Sequence, residues 1–235
     1  MGGLNLVILT GAGVSAESGL ATFRGPDGLW EGHRLEDVCT PEAFSRDPAM
    51  VHGFYDARRA RLAEVEPNAA HYALAKLDAA WSGDFLLVTQ NVDDLHERAG
   101  SKRLTHMHGE LERGWCLACN QRFAWEGPMG TSAECPSCGR SGLVRPDIVW
   151  FGEMPYEMDR IDAALRECDL FVSIGTSGAV YPAAGFVQTA HHCGAQTLEL
   201  NLEPSAGSFL FDESRIGPAS ELVPRWVEEI TRGAA

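Results

Sequence analysis

The sequence predicts an α/β fold, a parallel sheet covered by helices with a smaller lobe inserted into it. Three observations predict this. Short and largely apolar runs recur at 5–10, 84–89 and 170–174, as in strands buried on both faces, and a fourth strand reads at 196–200. Helical stretches separate them, and such alternation builds a parallel sheet. Two blocks interrupt the alternation, a helical one at 34–65 and a cysteine-rich one at 110–143. That leaves 1–33, 66–109 and 144–235 as the larger part of one domain spanning 1–235.

Composition narrows the function classes. With 235 residues, 45% of them apolar, the chain can fill one full α/β core plus an insertion. A formal charge of -14 argues against a nucleic-acid face, which needs clustered Lys and Arg. The first apolar run spans about six residues, far short of the ~20 of a membrane span, and no Arg-rich leader precedes it. A cytoplasmic protein with no membrane partner is therefore expected. Seven cysteines fit that compartment if four bind metal and Cys39, Cys168 and Cys193 are buried packing thiols.

In chain order, 5–10 reads as a strand ended by Gly11-Ala12-Gly13, whose missing side chains let the backbone turn and approach a ligand. A helix over 14–20 then aims its free N–H groups at an anion such as a diphosphate. The spacing Gly11-x-Gly13-x-x-Ala16 matches a dinucleotide turn, hence Rossmann-like. A hydride-transferring enzyme would show a second strand ending in an acid about 20 residues on. Here 23–30, Phe23-Arg24-Gly25-Pro26-Asp27-Gly28-Leu29-Trp30, is a turn-rich loop suited to a lid. The block at 35–64 is helical, with Thr40-Pro41 and Asp47-Pro48 opening helices by cap and proline. Tyr55 and Arg58 share a face there. Another helix runs from 67 to 81. The strand at 84–89 delivers Gln90-Asn91-Val92-Asp93 at its carboxyl end, where open α/β sheets bind ligands. Residues 104–111 read as a short extended segment, with His106 and His108 pointing the same way.

Cys116-x2-Cys119 and Cys135-x2-Cys138, separated by 15 residues, have the spacing of a closed structural zinc site. Two matched pairs are more than a redox dithiol needs. After this block come Trp150-Phe151-Gly152-Glu153, a helix at 159–168 and the strand at 170–174, which ends in Gly175-Thr176-Ser177-Gly178. A helix at 182–192 and the strand at 196–200 lead to Asn201-Leu202-Glu203. An amphipathic helix over 219–232 closes the chain.

The series Gly11 to Gly19, Phe23-Arg24, Thr89 to Asp93, His108-Gly109, the four cysteines, Gly175 to Ser177 and Asn201-x-Glu203 resembles the sirtuins, in order and over nearly the whole chain. Tyr55-x-x-Arg58 further resembles class III sirtuins. The resemblance implies an enzyme that consumes NAD to remove acetyl, succinyl and malonyl groups from protein lysines, with one structural zinc. It assigns the NAD site to Gly11, Ala12, Gly13, Ser15, Glu17, Phe23, Arg24, Trp30, Gln90, Asn91, Asp93, His108, Gly175, Thr176, Ser177, Asn201, Leu202, Glu203 and Ala219. Catalysis falls to His108 and Asn91. The acyl oxygen attacks the nicotinamide ribose, nicotinamide leaves, and His108 acts as base for the ribose hydroxyls; lysine and 2′-O-acyl-ADP-ribose result. Tyr55 and Arg58 hold an acidic acyl group, as a guanidinium holds a carboxylate. Trp150, Phe151, Gly152, Glu153 and Val180 clamp the acyl-lysine peptide as an added strand. Mono-ADP-ribosyl transfer is the alternative activity, and a non-catalytic zinc or nucleotide module a further one.

Overall fold

A computed structural model describes residues 3–22 and 32–233, so the expectations for Phe23, Arg24 and Trp30 lie outside the described residues. The described strands are β1 (Leu6–Thr10), β2 (Phe85–Thr89), β3 (Leu104–His106), β4 (Gly109–Cys116), β5 (Arg122–Ala124), β6 (Val144–Ile148), β7 (Leu170–Ile174), β8 (Gln196–Asn201) and β9 (Glu213–Ile216). The helices are α1 (Gly13–Ala16), α2 (Leu35–Val38), α3 (Pro41–Arg46), α4 (Pro48–Leu62), α5 (Ala69–Ala80), α6 (Leu95–Ala99), α7 (Met158–Glu167), α8 (Phe186–His192) and α9 (Ala219–Gly233). None of the described helices is long and apolar enough to cross a membrane.

Six strands form a parallel sheet ordered β3-β2-β1-β7-β8-β9, and three form an antiparallel sheet ordered β5-β4-β6. Every residue of β1 is buried because both faces of the sheet are covered. Leu6 and Ile8 pack with α5 and α9, through Leu74, Leu77, Val223 and Trp226. Val7 and Leu9 pack on the other face with Ile161, Leu165, Phe186 and Val187 of α7 and α8. The strand order grows outward from β1 on one side, then restarts at β7 on the other. Thr10 and Ile174 are therefore neighbours at the carboxyl ends of β1 and β7, and that reversal opens a crevice.

The smaller lobe packs α4 on the antiparallel sheet, with Val51, Phe54, Tyr55 and Leu62 against Leu111, Ile148 and Trp150. Thr40 accepts from the Ala43 N–H (3.0 Å) and Asp47 from that of Met50 (3.0 Å), so these residues cap α3 and α4 as expected. The block expected to be helical over 35–64, with helix starts at Thr40 and Asp47, is made of α2, α3 and α4. β6 joins this sheet by pairing with β4.

Elsewhere the structure departs from the sequence reading. The helix expected over 14–20 stops at Ala16, and Gly19 follows with φ +96°. Three short elements, α6, β5 and β9, carry no apolar period; β9 is a polar edge strand, defined by pairing with β8. The segment 104–111 is not one strand. β3 ends at His106, the chain crosses to the other sheet, and β4 begins at Gly109, so His106 and His108 do not share a strand face. Gly109 makes the crossing with φ +79°; a Cβ there would fall 2.0 Å from the Asp147 carbonyl oxygen.

Candidate active site

A cavity of about 860 Å³ lies at the carboxyl ends of β1, β2, β7 and β8 and extends to α4 of the smaller lobe. Every sequence-predicted NAD, catalytic or substrate residue within the described part of the chain lines it. Gly11, Ala12, Gly13, Ser15 and Glu17 come from the turn after β1, and Gln90, Asn91 and Asp93 from the end of β2. His108 stands where the chain crosses between sheets. Gly175, Thr176 and Ser177 follow β7, Asn201, Leu202 and Glu203 follow β8, and Ala219 begins α9. Tyr55 and Arg58 reach in from α4, while Trp150, Phe151, Gly152, Glu153 and Val180 complete the wall.

The glycines have a reason the sequence did not supply. A Cβ on Gly13 would lie 2.7 Å from Gly175 Cα, and one on Gly11 2.8 Å from the Gly175 oxygen. The turns after β1 and β7 thus press backbone against backbone, and this contact requires glycine. The Gly13 N–H donates to Gly175 (2.9 Å), that of Val14 to Gly11 (3.1 Å) and that of Ser15 to Ala12 (3.2 Å). Those three donors are already satisfied, so the expectation of a free helix terminus aimed at a diphosphate is corrected: α1 is a single turn closed on itself.

Ser15 is the centre of a buried cluster. Its hydroxyl donates to Asp93 Oδ2 (3.1 Å) and accepts from Asn91 Nδ2 (3.1 Å). His71 Nε2 lies 3.4 Å from the same oxygen. Because the Asn68 N–H donates to His71 Nδ1 (3.2 Å), the ring proton sits on Nε2 and points to Ser15. Burial raises the Asp93 pKa, opposed by the Leu95 N–H and the Ser15 hydroxyl. Asn91 and Asp93 are thus held from behind by groups of α5 and α1. Sequence reasoning missed His71; its signal was the capping pattern Asn68-x-x-His71.

His108 Nδ1 lies 3.2 Å from the Gln90 carbonyl oxygen. A carbonyl only accepts, so Nδ1 carries the proton and Nε2 the lone pair. Burial lowers the His108 pKa, with the Gln90 carbonyl opposing, which keeps the ring neutral and its Nε2 lone pair free. Glu17 accepts from the Ser220 N–H (3.0 Å), joining the first turn to the start of α9. Asn201 Nδ2 donates to the Thr176 carbonyl (2.7 Å), joining the ends of β7 and β8.

At the other end, Trp150 Nε1 donates to the Tyr55 hydroxyl (2.9 Å), and Cys39 Sγ lies 3.4 Å from that oxygen. Both Trp150 and Tyr55 are buried, with the Arg145 guanidinium 3.3 Å from the Trp150 ring centre. Glu153 is held by Arg145 (2.6 and 3.0 Å) and by the Trp150 N–H (2.8 Å), so its carboxylate fixes the loop. Cys39 lines the cavity, where only packing was expected of it; a lone cysteine has no spacing that could have said so. Cys168 is buried as expected, but Cys193 is exposed.

The four cysteines converge. Cys116 and Cys138 sulfurs lie 3.8 Å apart, those of Cys119 and Cys135 3.7 Å, and all four within 4.8 Å of one another. A tetrahedron with metal–sulfur bonds of ~2.3 Å has an edge of about 3.8 Å, so the set fits zinc. Four thiolates leave no open position, and the site is structural.

The sequence matches the Sir2 family over residues 11–182. The NAD-dependent protein deacylase of Bdellovibrio bacteriovorus is 58% identical over 227 residues, covering 96% of each chain. That of Shewanella oneidensis is 56% identical over 231 residues, covering 97% of this chain and 95% of its own. The solved structure of a Sir2 homolog–NAD complex superposes with a TM-score of 0.89 at 39% identity, covering 98% of this chain and 90% of that one. A Sir2–p53 peptide–NAD+ structure gives 0.81 at 28% identity, over 98% and 94%.

Proposed function

Since the chain belongs to the Sir2 family and is an NAD-dependent protein deacylase, we propose that it removes acetyl, succinyl and malonyl groups from protein lysines, through the residues of this cavity. The observation that carries the reading is the convergence of His108, the Ser15–Asn91–Asp93 cluster and the Tyr55–Arg58 pair on one cavity. NAD, when bound, supplies an electrophilic ribose carbon and the nicotinamide leaving group.

The chain's own residues do the rest. The turns after β1, β7 and β8 hold the cofactor, with Glu17, Gln90, Leu202, Glu203 and Ala219 around them. Asn91 and Asp93, fixed by Ser15, line the nicotinamide end. His108 Nε2 takes a proton from a ribose hydroxyl, a base contribution of about 10²–10⁴-fold. The Trp150–Glu153 loop and Val180 receive the peptide as backbone, which makes for loose sequence specificity. Arg58, beside Tyr55, receives the acidic end of the acyl group through two parallel hydrogen bonds. We also assign 34–65 and 110–143 as the inserted blocks, with β6 from the larger part completing their antiparallel sheet, and the cytoplasm to the protein, in keeping with seven cysteines that form no disulfide.

The test is mass spectrometry of succinyl-, malonyl- and acetyl-lysine peptides incubated with NAD. All three are expected to lose their acyl group. Arg58→Met is expected to cut desuccinylation roughly 30-fold more than deacetylation, since it removes a charge-assisted pair worth ~2 kcal/mol. Equal losses on both substrates would sink the acyl assignment.

A further inference from the structure

Three groups meet at the acyl end of the cavity in a directed chain. Trp150 Nε1 can only donate, and it donates to the Tyr55 hydroxyl oxygen at 2.9 Å. One lone pair of that oxygen is thereby used, and the phenolic proton needs an acceptor. Cys39 Sγ lies 3.4 Å away, at the end of α2 and on the cavity wall. Arg58, on the next turn of α4, has no acceptor to offer. Burial pushes the Cys39 thiol up to about 11, against the Tyr55 hydrogen bond and the Arg58 charge, and raises Tyr55 well above its ordinary value. Both groups are therefore uncharged at neutral pH, and Cys39 is no nucleophile there.

A sulfur is a weak acceptor. A carboxylate is a strong one, and its hydrogen bonds are about twice as strong as neutral pairs. We propose that Cys39 and Trp150 are positioning residues for acyl choice: Trp150 fixes the Tyr55 hydroxyl as a donor, and Cys39 is the weak resting acceptor that an acyl carboxylate displaces. An acetyl group offers no acceptor beyond its carbonyl, so Tyr55 stays on Cys39. A succinyl or malonyl group exchanges the weak O–H···S contact for a charge-assisted one beside Arg58. This rests on the acidic-acyl reading above and adds the reason for the preference. The Cys39 backbone is held independently, its N–H donating to Leu35 (2.8 Å) and its carbonyl accepting from Phe151 (3.0 Å), so side-chain changes leave those links intact.

The experiment compares KM and kcat for succinyl- and acetyl-lysine peptides at saturating NAD, on the full chain. Cys39→Ser supplies a stronger competing acceptor and is expected to raise the succinyl-to-acetyl KM ratio about three- to tenfold. Cys39→Ala removes the competitor and lowers that ratio. Trp150→Phe keeps a ring without the donor and raises it. In a Tyr55→Phe background the difference between Ser and Ala at position 39 is expected to vanish, which a role in packing alone would not bring about. If Ser and Ala move both substrates equally, or if their difference survives in Tyr55→Phe, the proposal is overturned. Arg58→Met in the same assay separates the two ideas. Should it discriminate between acyl groups while the Cys39 series does not, only this inference falls; should neither discriminate, the acidic-acyl reading falls with it.

Discussion

At the scale of single residues, protonation is decided by what lies behind each side chain. The Gln90 carbonyl takes the Nδ1 proton of His108, and burial lowers the pKa of the ring. A lowered value means the neutral base persists below the ordinary histidine value of 6.5, so the acid limb of kcat/KM is expected below that pH. A pH profile of deacylation checks it, and a limb at or above 6.5 would contradict the burial argument. His108→Tyr is expected to abolish NAD-dependent deacylation in the peptide assay; near-full rate would show that another group is the base. The sequence placed His108 beside Gly109 in the motif series. It could not show that His106 looks elsewhere, with Nδ1 on the Asn91 carbonyl (3.0 Å) and Nε2 on Glu97 (2.6 Å).

Among the elements, the buried strands were the most legible, because an apolar run between glycine turns has few other uses in a chain of this kind. β1, β2, β7 and β8 lie within a residue of the expected limits. Helix starts were legible where a cap and proline coincide, as at Thr40-Pro41 and Asp47-Pro48. Asn68 shows how a cap can reach the site. Its side chain accepts from the Ala70 N–H (3.0 Å) and donates to the Val14 carbonyl (2.8 Å) and the Ser18 hydroxyl (3.0 Å), tying α5 to the first turn. Asn68→Ala is expected to cost about 1–2 kcal/mol of stability in urea unfolding, because it removes the cap and both links. A loss below a few tenths would mean that water replaces those bonds.

Across the whole molecule, the large sheet has cores on both faces, whereas the cysteine module has only a small one of Cys116, Met129, Ala133, Cys135 and Val144. Its order therefore depends on metal, whose apparent binding contribution is roughly 10–16 kcal/mol. Strong chelation is expected to raise amide exchange across β4, β5 and β6 while β1 and β7 stay protected. Activity should fall with it, since the loop carrying Trp150 leaves the end of β6. Full activity in protein shown to be metal-free would overturn this dependence. The sequence by itself determined the four central strands, the four-cysteine spacing and the family resemblance, for these are written in local spacing and residue type. Only the tertiary structure decided that Gly11 and Gly13 answer to Gly175, that Ser15 turns inward to Asn91 and Asp93, and that Cys39 faces Tyr55. The reason is physical. Each of these is a contact between segments whose chemistry is ordinary alone and whose meeting is set by which strands lie side by side in the parallel sheet, or by how the helical block folds back on itself.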